Sequence, residues 1–570
     1  MNNRDTPQSG IFLKSERLIL GFVSTLSLVL GIVGFKQHYV IAQQSFAYPD
    51  LLYLSVRLFL FDFPDILKPP LYLDIARWLA PLTLSYTLVR TVLSFAHSYM
   101  LGLQLRYVRG HAVIVGLDAN TAETIQSFHE QDIKVVVIDR DAQNPNWSRI
   151  KRRGIYALIR NPEDPKLMLE ANIHKASYLI ASTHRNTTNL ELIHTAYAVK
   201  QNSEYEHHLD SVCCISDDAL MDAMCNRPLF ATNHAFMNTR IINYDRANAR
   251  SLINQFGPDR FIPNLAAKNE LRVTFLGNTP TTKYILLRLA EIGIYGESCK
   301  LTLQLVSADS DVECRRLINE HPAISELVTI KSEIRDRIDR NSVIAISEAS
   351  EPDIIYFCAE ETDETLLGLQ SIVDLGLQCP VIIAETHNQS TFDWLESEYQ
   401  RHQNIWFASL HNSFYHYESV FGDRQDELAI AIHNNYVEKQ IAAGDSPKNN
   451  PSLACWGELP EILKNANRNQ VDHIGIKFRY LTGKSMPTND ELTTAITPNN
   501  KVALAKMEHQ RWLAGKKLAG WRYTDGDKDN VKRLSPSLIE WDDLSDAEKQ
   551  KDVDTVNQLP ALLEILSTSS

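Results

Sequence analysis

The stretch HAVIVGLDANTAETIQSFHEQDIKVVVIDRD, residues 111–141, decides the fold. An apolar run, AVIV, stops at Gly116, an amphipathic segment follows, and a β-branched run, KVVVID, ends in the carboxylate of Asp139. Short continuous apolar runs are strands buried on both faces, and strand, glycine turn, helix, strand with a terminal acid is half of a dinucleotide-binding fold. The fingerprint GxGxxG would place glycines at 116, 118 and 121, where the chain has Gly116, Asp118 and Thr121. The middle glycine of that pattern lets the backbone approach a pyrophosphate, whereas a carboxylate there adds bulk and repulsion. Asp139 still stands where a ribose-hydroxyl acceptor belongs. The candidate cofactor-binding set is Gly116, Asp118, Asn120, Thr121, Asp139 and Arg140, for NAD(H) or another adenine nucleotide; the competing reading is a purely structural copy of the fold.

Upstream, residues 75–105 (IARWLAPLTLSYTLVRTVLSFAHSYMLGLQL) run into this fold through a short basic joint, 106–110, with no Gly/Ser tract. A stiff joint of that kind transmits movement. Residues 18–35 are free of charge and long enough to cross a bilayer, and residues 78–105 form a second span broken by Arg90. An arginine inside a membrane helix must find a partner, a wet cavity or the interface. Residues 48–64 are too short and too charged to span, and are expected as a re-entrant or interfacial helix. Basic residues before the first span (Lys14, Arg17) and after the second (Arg106, Arg109) put both termini on the cytoplasmic side of the membrane.

Downstream the alternation continues. Strands are expected at 155–159, 178–181 and 211–215, with helices at 166–171 and 190–200 and a polar turn at 183–189 between them. A second copy opens at 271–277 with a strand and Gly277, followed by a helix and strands at 301–306, 354–358 and 381–384. Tandem copies of one fold are an internal repeat and favour packing between copies or between subunits. Residues 244–263 read as a connecting amphipathic helix and turn. The expected fold class is thus an α-helical membrane region (1–109), two Rossmann-like α/β domains with doubly wound parallel sheets (110–258 and 259–412), a helical connector (413–450) and a small, mainly α-helical domain (451–570).

Span, short helix, span and nucleotide fold resemble two-span potassium-channel-like subunits that carry regulator-of-potassium-conductance (RCK) domains. A potassium filter needs consecutive carbonyls from a TVGYG-like loop, and the matching segment, LFLFDFP (58–64), has no glycine. The last domain carries Glu508-His-Gln-Arg511-Trp512, then Gly520-Trp521-Arg522-Tyr523, Lys532, Leu534-Ser-Pro536, Trp541-Asp-Asp-Leu544 and Glu548-Lys549 with Asp552. These motifs resemble the RyR repeat of ryanodine receptors, which also occurs in bacterial chains. On a helix Glu508, Arg511 and Trp512 share a face, and an arginine beside aromatic rings can hold phosphate while a ring stacks on a base. The ligand-binding candidates are Glu508, Arg511, Trp512, Trp521, Arg522, Tyr523 and Lys532. A bland alternative makes the tryptophans core and Glu508–Arg511 a pair, with His509 a structural hydrogen-bonder.

Composition narrows the function classes. Against 57 Lys+Arg stand 70 Asp+Glu, a formal charge of −13, which argues against binding a nucleic-acid polymer. The eight cysteines form no CxxC pair and all follow the membrane region, as suits a reducing compartment, and no metal site is expected. No nucleophile–base constellation appears, so an enzyme is not expected. The resulting expectation is a ligand-gated, channel-like membrane effector, a dimer or tetramer in the lipid bilayer. A small nucleotide-type ligand would control it, in nucleotide signalling or phage defence. The alternative is a membrane-anchored, non-conducting scaffold that senses NAD or adenine nucleotides.

Overall fold

The computed structural model describes residues 14–150, 154–203, 208–225, 227–231, 234–349, 351–359, 361–384, 389–409, 420–421, 426–442, 444–447 and 450–569. Of the connecting helix expected at 413–440, residues 413–419 and 422–425 lie outside them, and a helix runs over Glu427–Ala442. The chain divides into two compact units. One takes residues up to 117 with 132–179 and 191–207; the other takes 118–131, 180–190 and everything from 208.

The first unit opens on three helices, α1 (Lys14–Ile41), α2 (Tyr48–Arg57) and α3 (Leu71–Tyr107). α1 contains the apolar stretch Leu18–Ile41, long enough to cross a membrane. α3 has 37 residues, about 55 Å at ~1.5 Å per residue, and so outruns a ~30 Å hydrocarbon core. Phe35, Leu51, Leu58, Leu73, Ala76 and Ala80 bury one another among the three. Small residues set the approach: a Cβ on Gly34 would lie 2.5 Å from the Leu73 nitrogen, and one on Gly31 2.9 Å from the Ser55 hydroxyl. Arg90 finds its partner in the first turn of α1, 3.6 Å from Glu16, which also accepts a hydrogen bond from Tyr86 at 3.4 Å. α2 passes into one turn of 3-10 helix, Leu58–Leu60, and stops at Phe61 with φ +62°.

Among the described residues two six-stranded parallel sheets follow. The first contains β1 (Ala112–Val115), β2 (Val135–Asp139), β3 (Ile155–Ile159), β4 (Tyr178–Ala181), β5 (Leu209–Cys214) and β6 (Met237–Ile242), in the order β3-β2-β1-β4-β5-β6. β1 and β2 are buried along almost their whole length, with Ala112 beside Val135 and Val115 beside Ile138. The second contains β7 (Glu270–Leu276), β8 (Lys300–Ser307), β9 (Thr329–Ile334), β10 (Ile354–Phe357), β11 (Val381–Ala384) and β12 (Ile405–Ala408), in the order β12-β11-β10-β7-β8-β9. Traversed from its other edge, that is the same winding, so the repeat expected from sequence is present as two sheets of one topology. β6, β9 and β12, absent from the sequence reading, are all edge strands; β9 (TIKSEI) is largely exposed and offers no continuous apolar run.

In the second unit one face of the second sheet shares its core with the C-terminal helices. Leu271, Val273, Phe275 and Ile285 lie in one cluster with Ile474, Phe478, Leu504, Met507 and Leu562. The connector expected at 413–450 therefore joins elements that share a single core.

Candidate ligand sites and the helix joint

At the first glycine turn, Gly116 takes φ +99°, a region open to glycine and strained for other residues. Its amide donates to the Ile138 carbonyl at 2.8 Å, tying the end of β1 to β2. Asp139 spends its carboxylate on this local backbone: Oδ2 accepts from the Leu117 amide at 2.8 Å and Oδ1 from the Asp141 amide at 2.7 Å. The Trp147 indole donates to the Asp141 carbonyl at 2.8 Å. Arg140 points into solvent.

Asp118, the residue in place of the middle glycine, is the N-cap of the helix Ala119–Glu130, which we label α4. Its Oδ1 accepts from the Thr121 amide at 2.7 Å and the Thr121 hydroxyl receives the Asp118 amide at 2.8 Å, a closed capping box. Desolvation pushes the Asp118 carboxyl up, against the Thr121 hydrogen bonds that pull it down. The helix end that would face a pyrophosphate carries its own anion. Asn120 lies in the first turn and its carbonyl accepts from the Thr124 hydroxyl. In the polar turn after β4, Asn189 Oδ1 accepts from the Thr183 amide (2.8 Å) and hydroxyl (2.7 Å), while its Nδ2 donates to the Cys214 carbonyl at 2.8 Å.

The second glycine turn is closed by packing. Gly277 has φ +85°, and a Cβ there would sit 2.6 Å from Ala359 Cα, so the glycine serves the approach of two backbone segments. Asp309, the counterpart of Asp139, accepts from Asn278 (3.0 Å) and from Ser307 (2.7 Å).

The joint between α3 and the first sheet was expected from the sequence, but the side chains that hold it, Asn172 and Lys175, were not. The last turn of any helix leaves carbonyls without intrahelical donors. Here Asn172, buried and at φ +59°, donates from Nδ2 to the carbonyls of Leu105 (2.9 Å) and Val108 (3.3 Å). Lys175 Nζ donates to the Arg106 carbonyl at 3.0 Å, and the Gly110 amide donates to the Lys175 carbonyl at 2.8 Å. The same 171–176 segment is fixed from below: His111 Nε2 donates to the Ala171 carbonyl at 2.9 Å and Lys200 Nζ to the Ala176 carbonyl at 3.0 Å. Burial holds the His111 imidazole down to about 4, hence neutral, and pulls Lys200 down to about 8. Asparagine in the left-handed region between two short helices was the available sequence signal.

In the C-terminal domain the long helix Pro498–Leu518 carries Glu508, His509, Arg511 and Trp512. Glu508 and Arg511 are 3% and 4% exposed. Glu508 accepts from Lys477 Nζ at 2.5 Å and from Arg511 Nη2 at 2.6 Å. Burial alone pushes the Glu508 carboxyl up, but Arg511 and Lys477 outweigh it and hold the group well below the carboxylate range. The pair expected to meet a ligand is thus occupied with a third group, the wholly buried cation Lys477, which the sequence reading missed. His509 uses both nitrogens, Nε2 on the Ile539 carbonyl at 2.8 Å and Nδ1 toward Asp552 at 3.4 Å. Trp512 is half-buried and stacks on His509. Trp521 is buried with Leu513 and Leu538, whereas Arg522, Tyr523 and Lys532 are exposed. Tyr523 donates to Asp525 at 2.6 Å, and Lys532 lies 3.7 Å from Asp529.

This domain is bolted to the second fold at Asp472. Arg250 (2.6 and 3.0 Å) and Asn254 (2.9 Å), from the connecting helix Tyr244–Phe256, converge on its carboxylate with Arg288 of the helix Pro280–Ile292. Burial raises the Asp472 carboxyl, and the two guanidinium groups overcome that and lower it.

No curated protein matches the chain. Among solved structures it is similar to GsuK bound to ADP (14% identity, 72% of this chain and 98% of that one, TM-score 0.37). It is also similar to the GsuK channel bound to NAD (11%, 75% and 84%, TM-score 0.35) and to the GsuK RCK domain (11%, 56% and 76%, TM-score 0.38). Residues 112–207 match the TrkA-N domain family.

Proposed function

We propose that the chain is a ligand-gated, channel-like effector of the bacterial inner membrane, with both termini cytoplasmic. In it a nucleotide-derived ligand, sensed by the Rossmann or RyR-like part, moves the membrane helices. The observation that carries this reading is the joint. α3 ends with its last carbonyls held by Asn172 and Lys175 of the first fold, so a shift of that segment pulls on the helix directly. The membrane assignment is supported by outward-facing apolar groups on α1 and α3, such as Phe22 (68% exposed), Trp78 (65%) and Leu88 (63%). Such surfaces need lipid or further copies of the chain to cover them. The RyR-like resemblance favours a setting in nucleotide signalling or phage defence, and no catalytic step is assigned to any residue.

A second reading, a non-conducting scaffold that senses NAD or adenine nucleotides, draws support from the α2 region. Its 3-10 turn and left-handed Phe61 offer none of the repeated carbonyls a potassium filter uses. One experiment separates the two. The full chain is reconstituted in vesicles loaded with an ion-sensitive dye and exposed to ADP, NAD or cyclic oligonucleotides. Ligand-dependent flux supports the effector; binding without flux supports the scaffold; neither flux nor binding removes both.

A further inference from the structure

In the C-terminal domain two lysines crowd one tryptophan. Lys516 Nζ lies 4.2 Å and Lys528 Nζ 5.9 Å from the Trp521 ring centroid. Neither lysine has a carboxylate partner among the described residues, although their neighbours do: Lys517 reaches Glu326 at 2.8 Å and Lys551 pairs with Glu548. The Trp521 indole Nε1 is buried and meets no acceptor, in a residue 8% exposed. A buried donor left without an acceptor costs its desolvation; the two ammonium groups beside this ring are accessible to solvent, Lys516 half-buried and Lys528 exposed.

Local forces sharpen the contrast. The face of a tryptophan and the C-terminal end of a helix both favour a cation, and Lys516 has both. Burial, followed by the nearby Lys528 and Arg511, nevertheless pulls its ammonium down to about 8. Burial lowers Lys528 as well, with Lys551 adding to the effect and Glu548 opposing it. What the cluster lacks is an anion.

We propose that Lys516 and Lys528, gathered at the Trp521 ring, form a phosphate subsite of the C-terminal domain, and that it receives the phosphate of a nucleotide-type ligand. This assignment rests on the ligand-gated reading above and moves the anion-binding role from Glu508–Arg511 to groups that are not already engaged. The ring face is covered by Lys516, so the ligand's base is placed elsewhere.

The test uses the full-length protein in detergent, with thermal unfolding followed by tryptophan fluorescence and binding by calorimetry. The probes are ADP, adenosine, pyrophosphate and inorganic phosphate. ADP and pyrophosphate are expected to bind and stabilise while adenosine does not; phosphate alone acting as strongly as ADP would indicate a free-anion site with the same chemistry. Lys516→Met and Lys528→Met keep side-chain bulk and remove charges that nothing balances. Each should leave the ligand-free protein as stable as before or more so, while weakening ADP about tenfold or more. A purely structural cation–ring contact predicts the reverse, a less stable protein with ADP affinity unchanged, and that result overturns the proposal. ADP-dependent flux that survives Lys516→Met/Lys528→Met unaltered overturns the subsite and leaves the gating reading standing. ADP binding that these substitutions abolish, in vesicles that show no flux, supports the subsite and overturns the gating.

Discussion

Replacing Glu508 by alanine removes the one anion between two buried cations. Lys477 is fully buried and Arg511 nearly so, and each donates to Glu508 within 2.6 Å. Desolvating two charges is tolerable only while the carboxylate compensates them, so deleting it leaves both uncompensated, a loss of about 3–5 kcal/mol. At about 2–4 °C per kcal/mol for a folding unit of this order, the corresponding transition should drop by roughly 6–20 °C. The assay is thermal unfolding of the full chain followed by the fluorescence of Trp512, Trp521 and Trp541. Several transitions are expected in a chain of several folds, so the midpoint compared is that of the tryptophan-reported step. The triple replacement Lys477→Met/Glu508→Leu/Arg511→Met should recover most of the loss, because an apolar filling of similar volume avoids the desolvation. A midpoint for Glu508→Ala unchanged from the parent would refute the claim that this triad holds the C-terminal domain together.

Three further outcomes follow from the geometry. Asn172→Gly keeps the left-handed backbone and deletes the two bonds to the Leu105 and Val108 carbonyls; ligand affinity should be retained while ligand-dependent vesicle flux falls severalfold. Asp118→Gly removes the built-in anion at the start of α4 at a cost of only a few tenths of a kcal/mol, and calorimetry should show ADP affinity for the full chain rising. His509 has its folded pKa raised above 6.5: burial opposes the charge, but the Asp552 and Ile539 acceptors outweigh it. A raised pKa gives stability that is complete below the unfolded value and lost as pH rises through the folded one. The C-terminal transition should therefore fall in temperature from about pH 6.5 upward, and a His509→Gln variant should lose that dependence.

Strands β1 and β2 of the first fold were legible because both lie inside the sheet and are buried on both faces, which forces the uninterrupted runs AVIV and VVVID. Edge strands such as β9 escape that requirement, and their sequence is free to be polar. Asp118 was legible as a departure from the glycine pattern; its role as a helix cap became visible only with Thr121 placed opposite it. The C-terminal motif residues were found, but their partners were not. Lys477 lies 31 residues from Glu508, and Asp472 lies 222 from Arg250; pairings across such separations leave no local periodicity to read. The helical spacing of Glu508 and Arg511 fitted a ligand face and a buried pair equally well, and burial decided which groups they meet. Lys516 and Lys528 were passed over because nothing in a sequence distinguishes a lysine lacking a carboxylate from the many that have one.

On this account α3 and the Asn172–Lys175 segment of the first fold move as one piece. The most direct measurement inserts a flexible Gly-Ser repeat between Val108 and Arg109 of the full chain and compares ligand binding with ligand-dependent ion flux in vesicles. Binding retained with the flux response abolished is the predicted result; a flux response as large as that of the uninterrupted chain would contradict it.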